Sequence, residues 1–285
     1  MKALITGATG QVGRALLALA PEGAQVTALG RCQLDLTDSA AIEETIAVLQ
    51  PDIVLNAAAY TSVDRAESEE AMAQAINADA VGMIVAALDR HGGRLAHIST
   101  DFVFDGARAS AWRPADKRNP LSVYGRSKAA GEDYLREQDL LLRTSWVHAA
   151  GGVNFVRTML RLMRERDRLT VVNDQIGAPT WASALADVLW RSVQRGVSGT
   201  YHYSDAGIAS WYDFAVAIGE EAQLLGLLEK NVTILPVGSQ DYPVPATRPA
   251  FSVLDSRSTH EVLSLTPVHW RSNLRRMLAE EKAHG

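Results

Sequence analysis

The chain has 285 residues, 47% hydrophobic and 21% charged, which suits a globular protein with one large core or two linked units. The formal net charge is −5 and no basic block stands out, which excludes a nucleic-acid backbone as the expected ligand. A single cysteine, Cys32, excludes an intrachain disulfide and a cysteine-built metal site; with no leader-like N-terminus and no run approaching roughly 20 apolar residues, a cytoplasmic protein outside the membrane is expected.

Short apolar runs at 2–6, 25–29, 52–56, 95–99 and 140–143 read as buried strands. Helical patterns separate them at 12–19, 39–49, 71–90 and 124–136. Such alternation predicts a parallel sheet with helices on both faces and a ligand beyond the carboxyl ends of the strands. After Trp146 the rhythm changes: helix at 154–166, strand at 169–172, loop at 174–180, helix near 181–194, short strand at 201–203, helices at 211–225 and 270–282. The stretch 236–249 holds four prolines and reads as extended or looped.

Gly7-x-x-Gly10-x-x-Gly13 follows the first strand and opens the first helix. A tight turn without Cβ atoms lets a pyrophosphate approach the backbone, and the helix N-terminus offers free N–H groups and a positive dipole end. The first two glycines stand one residue further apart than in G-x-G-x-x-G, so the position at the first strand–helix junction carries the assignment. At the end of the second strand, where an acid would bind a ribose 2′-OH, the chain has Gly30-Arg31. Arg31 suits a 2′-phosphate, so NADPH is the expected cofactor with NADH as the alternative; the competing reading is a solvated loop charge.

Of seven tyrosines, only Tyr124 has a lysine four residues on, Lys128. On a helix the two share a face. A tyrosine that exchanges protons near neutrality needs its pKa lowered by roughly 2–3 units, and a neighbouring ammonium acts in that direction. Thr100, ending the fourth strand, is the candidate third hydrogen bonder to the reacting oxygen, unless it only satisfies backbone groups there.

These motifs together resemble the extended short-chain dehydrogenase/reductase family. Asn56-Ala57-Ala58-Ala59, Ser99-Thr100-Asp101-Phe102-Val103-Phe104-Asp105-Gly106, Val123-Tyr124-Gly125, Arg143-Thr144-Ser145-Trp146-Val147, Asn173-Asp174-Gln175-x-Gly177-x-Pro179-Thr180 and Arg248-Pro249 carry a closer likeness, to its nucleotide-deoxysugar 4-ketoreductases. The fold implied is α/β: a Rossmann-type doubly wound parallel sheet with a smaller C-terminal substrate-binding domain. Residues 1–146 would form the NAD(P)-binding domain and 147–285 mainly the sugar-nucleotide domain, with later segments free to return to the sheet.

The reaction implied is NADPH-dependent reduction of the C4 ketone of dTDP-4-dehydro-L-rhamnose. Tyr124 would protonate the alkoxide, Lys128 would tune Tyr124 and bind the cofactor ribose, and Thr100 would bond the reacting oxygen. Asp101 and Trp146 would touch the dTDP-sugar. Gly10, Gln11, Val12, Asp35, Leu36, Ala59, Tyr60 and Thr61 would line the cofactor cleft. Arg248 suits a substrate phosphate or an exposed salt bridge, and His148 either contacts substrate or is a hydrogen-bonded loop histidine.

Some members of the group dimerise around magnesium held by glutamates. Ala15 and Ser183 stand near two of those places and offer no carboxylate, so no metal and a monomer or weak homodimer are expected. A 4,6-dehydratase needs a glutamate where Phe102 stands. A 4-ketoreductase or epimerase for another nucleotide deoxysugar remains an alternative. A non-catalytic regulatory subunit of the same fold is the other, although it should lack Tyr124 or Lys128.

Overall fold

The computed structural model describes residues 1–284. The first half alternates as its pattern predicts: β1 (Lys2–Thr6), α1 (Gln11–Ala18), β2 (Gln25–Leu29), α2 (Ser39–Leu49) and β3 (Ile53–Asn56). β3 is buried throughout, the mark of a strand covered on both faces. α2 starts where the Asp38 carboxylate accepts from the Ala40 and Ala41 N–H groups, and stops at Gln50 in the left-handed region.

A short α3 (Val63–Ala66) precedes a continuous helical rod made of α4 (Glu70–Gln74), a π-helical turn (Ala75–Asp79) and α5 (Ala80–His91). This rod is long and apolar enough to cross a membrane, contrary to the expectation that no segment would be, but half of its apolar stretch is buried inside the protein. β4 (Arg94–Thr100) leads through a 3₁₀ turn at Asp101–Val103 and a long loop to α6 (Val123–Glu132), then β5 (Leu140–Thr144).

Beyond residue 146 come β6 (Val147–His148), α7 (Phe155–Glu165), β7 (Arg168–Val172), β8 (Ile176–Gly177), β9 (Thr180–Trp181), α8 (Ala182–Gln194) and β10 (Gly199–His202). They are followed by β11 (Ala209–Ser210), α9 (Trp211–Leu224), β12 (Thr233–Val237), α10 (Arg257–Leu263) and α11 (Trp270–His284).

Six parallel strands form the central sheet in the order β10-β5-β4-β3-β1-β2. This is a Rossmann-type doubly wound sheet whose chain direction reverses between β1 and β3, so the crevice for a ligand opens at their carboxyl ends. β10, from the second half of the chain, closes one edge of the sheet, and α8 packs on α1. A core around Leu16, Leu142, Leu189 and Trp190 fills one face, and one around Ile42, Ile84 and Leu88 fills the other.

A separate apolar cluster, including Met163, Phe214 and Leu274, joins α7, α9 and α11 beside the parallel pair β7–β12. β12 runs into the proline-rich segment and pairs through Pro236, which is tolerated because this two-stranded sheet is all edge.

Candidate active site

The glycine turn is built as close approach requires. Gly7 has φ +68°, and a Cβ there would sit 2.7 Å from the Ala58 backbone. α1 begins after Gly10 with no side-chain cap, so its first N–H groups face outward unsatisfied. A Cβ at Gly13 would lie 2.2 Å from Gly7 O, so this glycine lets the helix pack on the turn.

Two adjoining hollows meet at Gly10 and Ala57–Ala59. One is bounded by Gly7, Arg31, Asp35, Leu36, Tyr60 and Thr61. The Asp35 carboxylate accepts from the Thr37 N–H and hydroxyl, 2.9 and 2.8 Å away, which holds its pKa down, with exposed Arg31 adding to the effect. The other is bounded by Gln11, Val12, Thr100, Asp101, Tyr124, Lys128, Trp146 and Arg248.

α6 carries the central pair. The Ser122 hydroxyl caps it by accepting from Gly125 N–H, and a Cβ at Gly125 would strike Phe102 O at 2.3 Å, so the helix lies hard against the end of β4. Tyr124 meets Phe102 edge-on, with ring centroids 5.6 Å apart, and its phenol is in hydrogen-bonding contact with Thr100. Burial pushes Tyr124 up to about 12, the Thr100 bond opposes this, and the Asp101 charge adds to it. Burial thus moves Tyr124 opposite to the downward shift expected from Lys128. The lysine is turned away: Nζ donates to Ile98 O at 2.7 Å and lies 3.1 Å from His97 Nε2. Burial lowers Lys128 to about 8.

Asp101 is 2% exposed, and burial raises it to about 6 against a hydrogen bond from the Thr100 hydroxyl to Oδ1 at 3.2 Å. Its Oδ2 has no partner, leaving a buried acceptor in the cleft wall. Trp146 sits in the left-handed region at φ +47° and stacks on Trp211 with centroids 3.6 Å apart. Arg248 grips both oxygens of Asp64, at 3.0 and 2.7 Å, so the bland reading describes it in this state while the side chain still reaches the cleft.

His148 lies behind the cleft, edge-on to Phe214, with Nδ1 3.4 Å from Trp146 O; burial lowers it to about 4. Among the described residues no cluster of three or more His, Cys, Asp or Glu could hold a metal.

The model of the family described as "RmlD substrate binding domain" matches residues 1–283. The chain belongs to this family. Among its RmlD relatives, the dTDP-4-dehydrorhamnose reductase of Burkholderia thailandensis is 42% identical, with 95% of this chain and 96% of that one covered. The enzyme of the same name from Escherichia coli (strain K12) is 41% identical, with 98% of each covered. A crystal structure of dTDP-4-dehydrorhamnose reductase from Bacillus anthracis in complex with NADP superposes with a TM-score of 0.92 at 34% identity, covering 98% of this chain and 99% of that chain.

Several residues that shape this RmlD-family site went unnoticed in the sequence. Asn77, buried in the π turn, accepts from Tyr60 N–H at 2.9 Å, donates to Tyr60 O at 3.1 Å and reaches the Ser127 hydroxyl at 3.0 Å. It thereby ties the Tyr60 loop to α6. An asparagine on the apolar face of an alanine-rich helix was the available signal. His97, within β4, stands beneath Lys128 beside Asn56, which the sequence showed only as the first residue of the Asn56–Ala59 motif.

Proposed function

We propose that this protein reduces the C4 ketone of dTDP-4-dehydro-L-rhamnose to dTDP-L-rhamnose with NADPH, in the cytoplasm. The observation that carries the reading is a partly buried Tyr124, touching Thr100 and held in its acid form by desolvation, at the floor of a cleft continuous with an uncapped glycine turn. The dTDP-4-dehydrorhamnose reductases that match nearly the whole chain support the substrate, and the NADP complex of the Bacillus anthracis protein supports the cofactor.

The cleft fits a dinucleotide because its turn is bare of Cβ atoms and its helix N-terminus is uncapped. Gly7, Gly10, Gln11 and Val12 would hold the pyrophosphate; Arg31 would meet a 2′-phosphate; Asp35, Leu36, Ala59, Tyr60 and Thr61 would flank the adenosine side. NADPH bound there would supply the hydride.

Tyr124 donates its proton to the C4 oxygen, and Thr100 hydrogen-bonds the same oxygen as charge develops on it. Lys128 leaves Ile98 O to bind the cofactor ribose, where its ammonium steadies the phenolate left behind. Asp101 Oδ2 accepts from a sugar hydroxyl and the Trp146 indole packs on the sugar. Arg248 exchanges Asp64 for a substrate phosphate, a bidentate swap between two anions of similar shape.

With Ala15 and Ser183 where carboxylates would be needed, we infer a monomer or weak homodimer that is not bridged by metal. Incubating the protein with NADPH and the keto-sugar nucleotide should oxidise one NADPH per dTDP-L-rhamnose formed. Folded, NADPH-binding protein that oxidises none would move the substrate to another deoxysugar nucleotide or the chain to a regulatory role.

A further inference from the structure

Parallel register sets three polar residues side by side across the core of the sheet: Thr6 on β1 opposite Asn56 on β3, and Asn56 opposite His97 on β4. All three are at most 2% exposed. The Thr6 hydroxyl donates to Asn56 Oδ1 at 2.6 Å, and the Ala58 N–H donates to the same oxygen at 3.3 Å. A backbone N–H can only donate, so the Asn56 amide is oriented with its oxygen toward Ala58 and its NH₂ toward His97.

That NH₂ lies 3.1 Å from His97 Nδ1. Nδ1 must accept, which leaves the proton of the neutral imidazole on Nε2. His97 Nε2 in turn points at Lys128 Nζ, 3.1 Å away, while Nζ donates to Ile98 O. An N–H aimed at Nζ needs a lone pair there. A neutral amine has one and an ammonium has none.

We propose that Asn56 and His97 are positioning residues that fix the protonation of Lys128: they present Nε2–H to its amine, so that Lys128 takes up a proton when it exchanges this contact for the cofactor ribose. The ribose contact rests on the function proposed above; the tautomer does not.

The electrostatics agree with the hydrogen-bond pattern. Burial holds His97 neutral, and burial also lowers Lys128 to about 8. Glu132, one turn along α6, favours the ammonium but is engaged by Arg143, Arg118 and the Ser99 hydroxyl. Of the other titratable groups on elements around α6, Glu70 is exposed to solvent and the rest named here are engaged. Asp101 acts on Tyr124, Asp64 pairs with Arg248, Arg65 pairs with Glu69, Asp79 accepts from Gln74, and Arg94 donates to Val197 O.

Nitrogen-15 NMR of the histidine rings in the intact protein without added cofactor, at about pH 9, above the value of about 8 to which burial lowers Lys128, reads the tautomer directly. His97 should show a protonated Nε2 and a bare Nδ1, identified by loss of its signals in His97→Gln. A protonated Nδ1, or an imidazolium, would overturn the proposal.

Calorimetry of NADPH binding in buffers of different ionisation heat then reads proton uptake. Wild type should take up a substantial fraction of one proton at about pH 9. In Asn56→Asp the new carboxylate accepts from Nδ1–H and turns Nε2 into an acceptor for the ammonium. The Lys128 titration, followed through its ε-carbon, should rise by about one pH unit or more, and the uptake should largely vanish. Absence of uptake in wild type, or uptake unchanged in Asn56→Asp, would overturn it. Failure of the intact protein to bind NADPH at all would instead sink the functional reading, with the tautomer result standing on its own.

Discussion

Burial pushes the Tyr124 phenol up to about 12, so at neutral pH the residue stands as an acid ready to donate. A carbonyl reduction begins by needing that form. The sequence placed Tyr124 and Lys128 on one helical face but could not show that Lys128 points into the sheet, because side-chain direction depends on His97 and Ile98, 30 or more positions away. Arg31 is exposed beside the adenosine side of the cleft. Losing a charge-assisted contact costs about 1.5 kcal/mol, so Arg31→Ala should lower kcat/KM with NADPH roughly tenfold and leave NADH nearly unchanged. Equal losses with both cofactors would remove Arg31 from the 2′-phosphate. Gly177 packs against the Trp146 indole, and a Cβ there would approach it to 2.7 Å. Gly177→Ala should therefore displace Trp146 and raise KM for the sugar nucleotide while NADPH binding holds; an unchanged KM would take Trp146 out of the substrate pocket.

Elements of the first half were legible because each buried strand is short, β-branched or leucine-rich, and bounded by a polar or glycine stop; β1, β2 and α2 have the predicted limits. The long helix predicted at 71–90 is continuous but passes through a π turn at Ala75–Asp79, where the Asn77 side chain is held by the Tyr60 backbone. The strand read at 201–203 is β10 (Gly199–His202); its place in the sheet was left open, because pairing with β5 is a contact between distant segments that periodicity does not encode. Behind the site, Glu132 on α6 accepts from Arg143 Nε at 2.9 Å and Nη2 at 2.7 Å, with both side chains at most 5% exposed. Removing one partner of a buried pair costs about 3–5 kcal/mol. Urea unfolding of Glu132→Ala should show a loss of that size; a loss below about 1 kcal/mol would mean that Arg143 finds another partner.

On the scale of the whole molecule, two apolar cores meet around the cleft, one under the sheet and one among α7, α9 and α11. Asp205 lies between them: its carboxylate accepts from Trp181 N–H at 3.0 Å and from the Tyr203 hydroxyl at 3.3 Å. Burial raises it from 3.8 to about 6. A carboxyl with a raised folded pKa contributes stability at low pH that is lost as pH rises between the unfolded and folded values. Asp205→Asn removes that dependence, so its stability relative to wild type should climb between about pH 4 and pH 6 by up to about 3 kcal/mol and stay level above. A constant difference across that window would show that Asp205 titrates normally. Cofactor turn and proton donor were both visible in the sequence as local motifs. The substrate wall was only partly so, since Asp101, Trp146, Trp211 and Arg248 come from four separate stretches joined by tertiary packing alone.

The central claim is that Tyr124 gives the proton that completes ketone reduction. The most direct measurement is turnover of dTDP-4-dehydro-L-rhamnose, followed as NADPH oxidation with product analysis, in wild type and in folded Tyr124→Phe that still binds NADPH. The account predicts stoichiometric dTDP-L-rhamnose from wild type and a fall in kcat of roughly 10²–10⁴-fold in the variant. A variant that kept most of its turnover would contradict it.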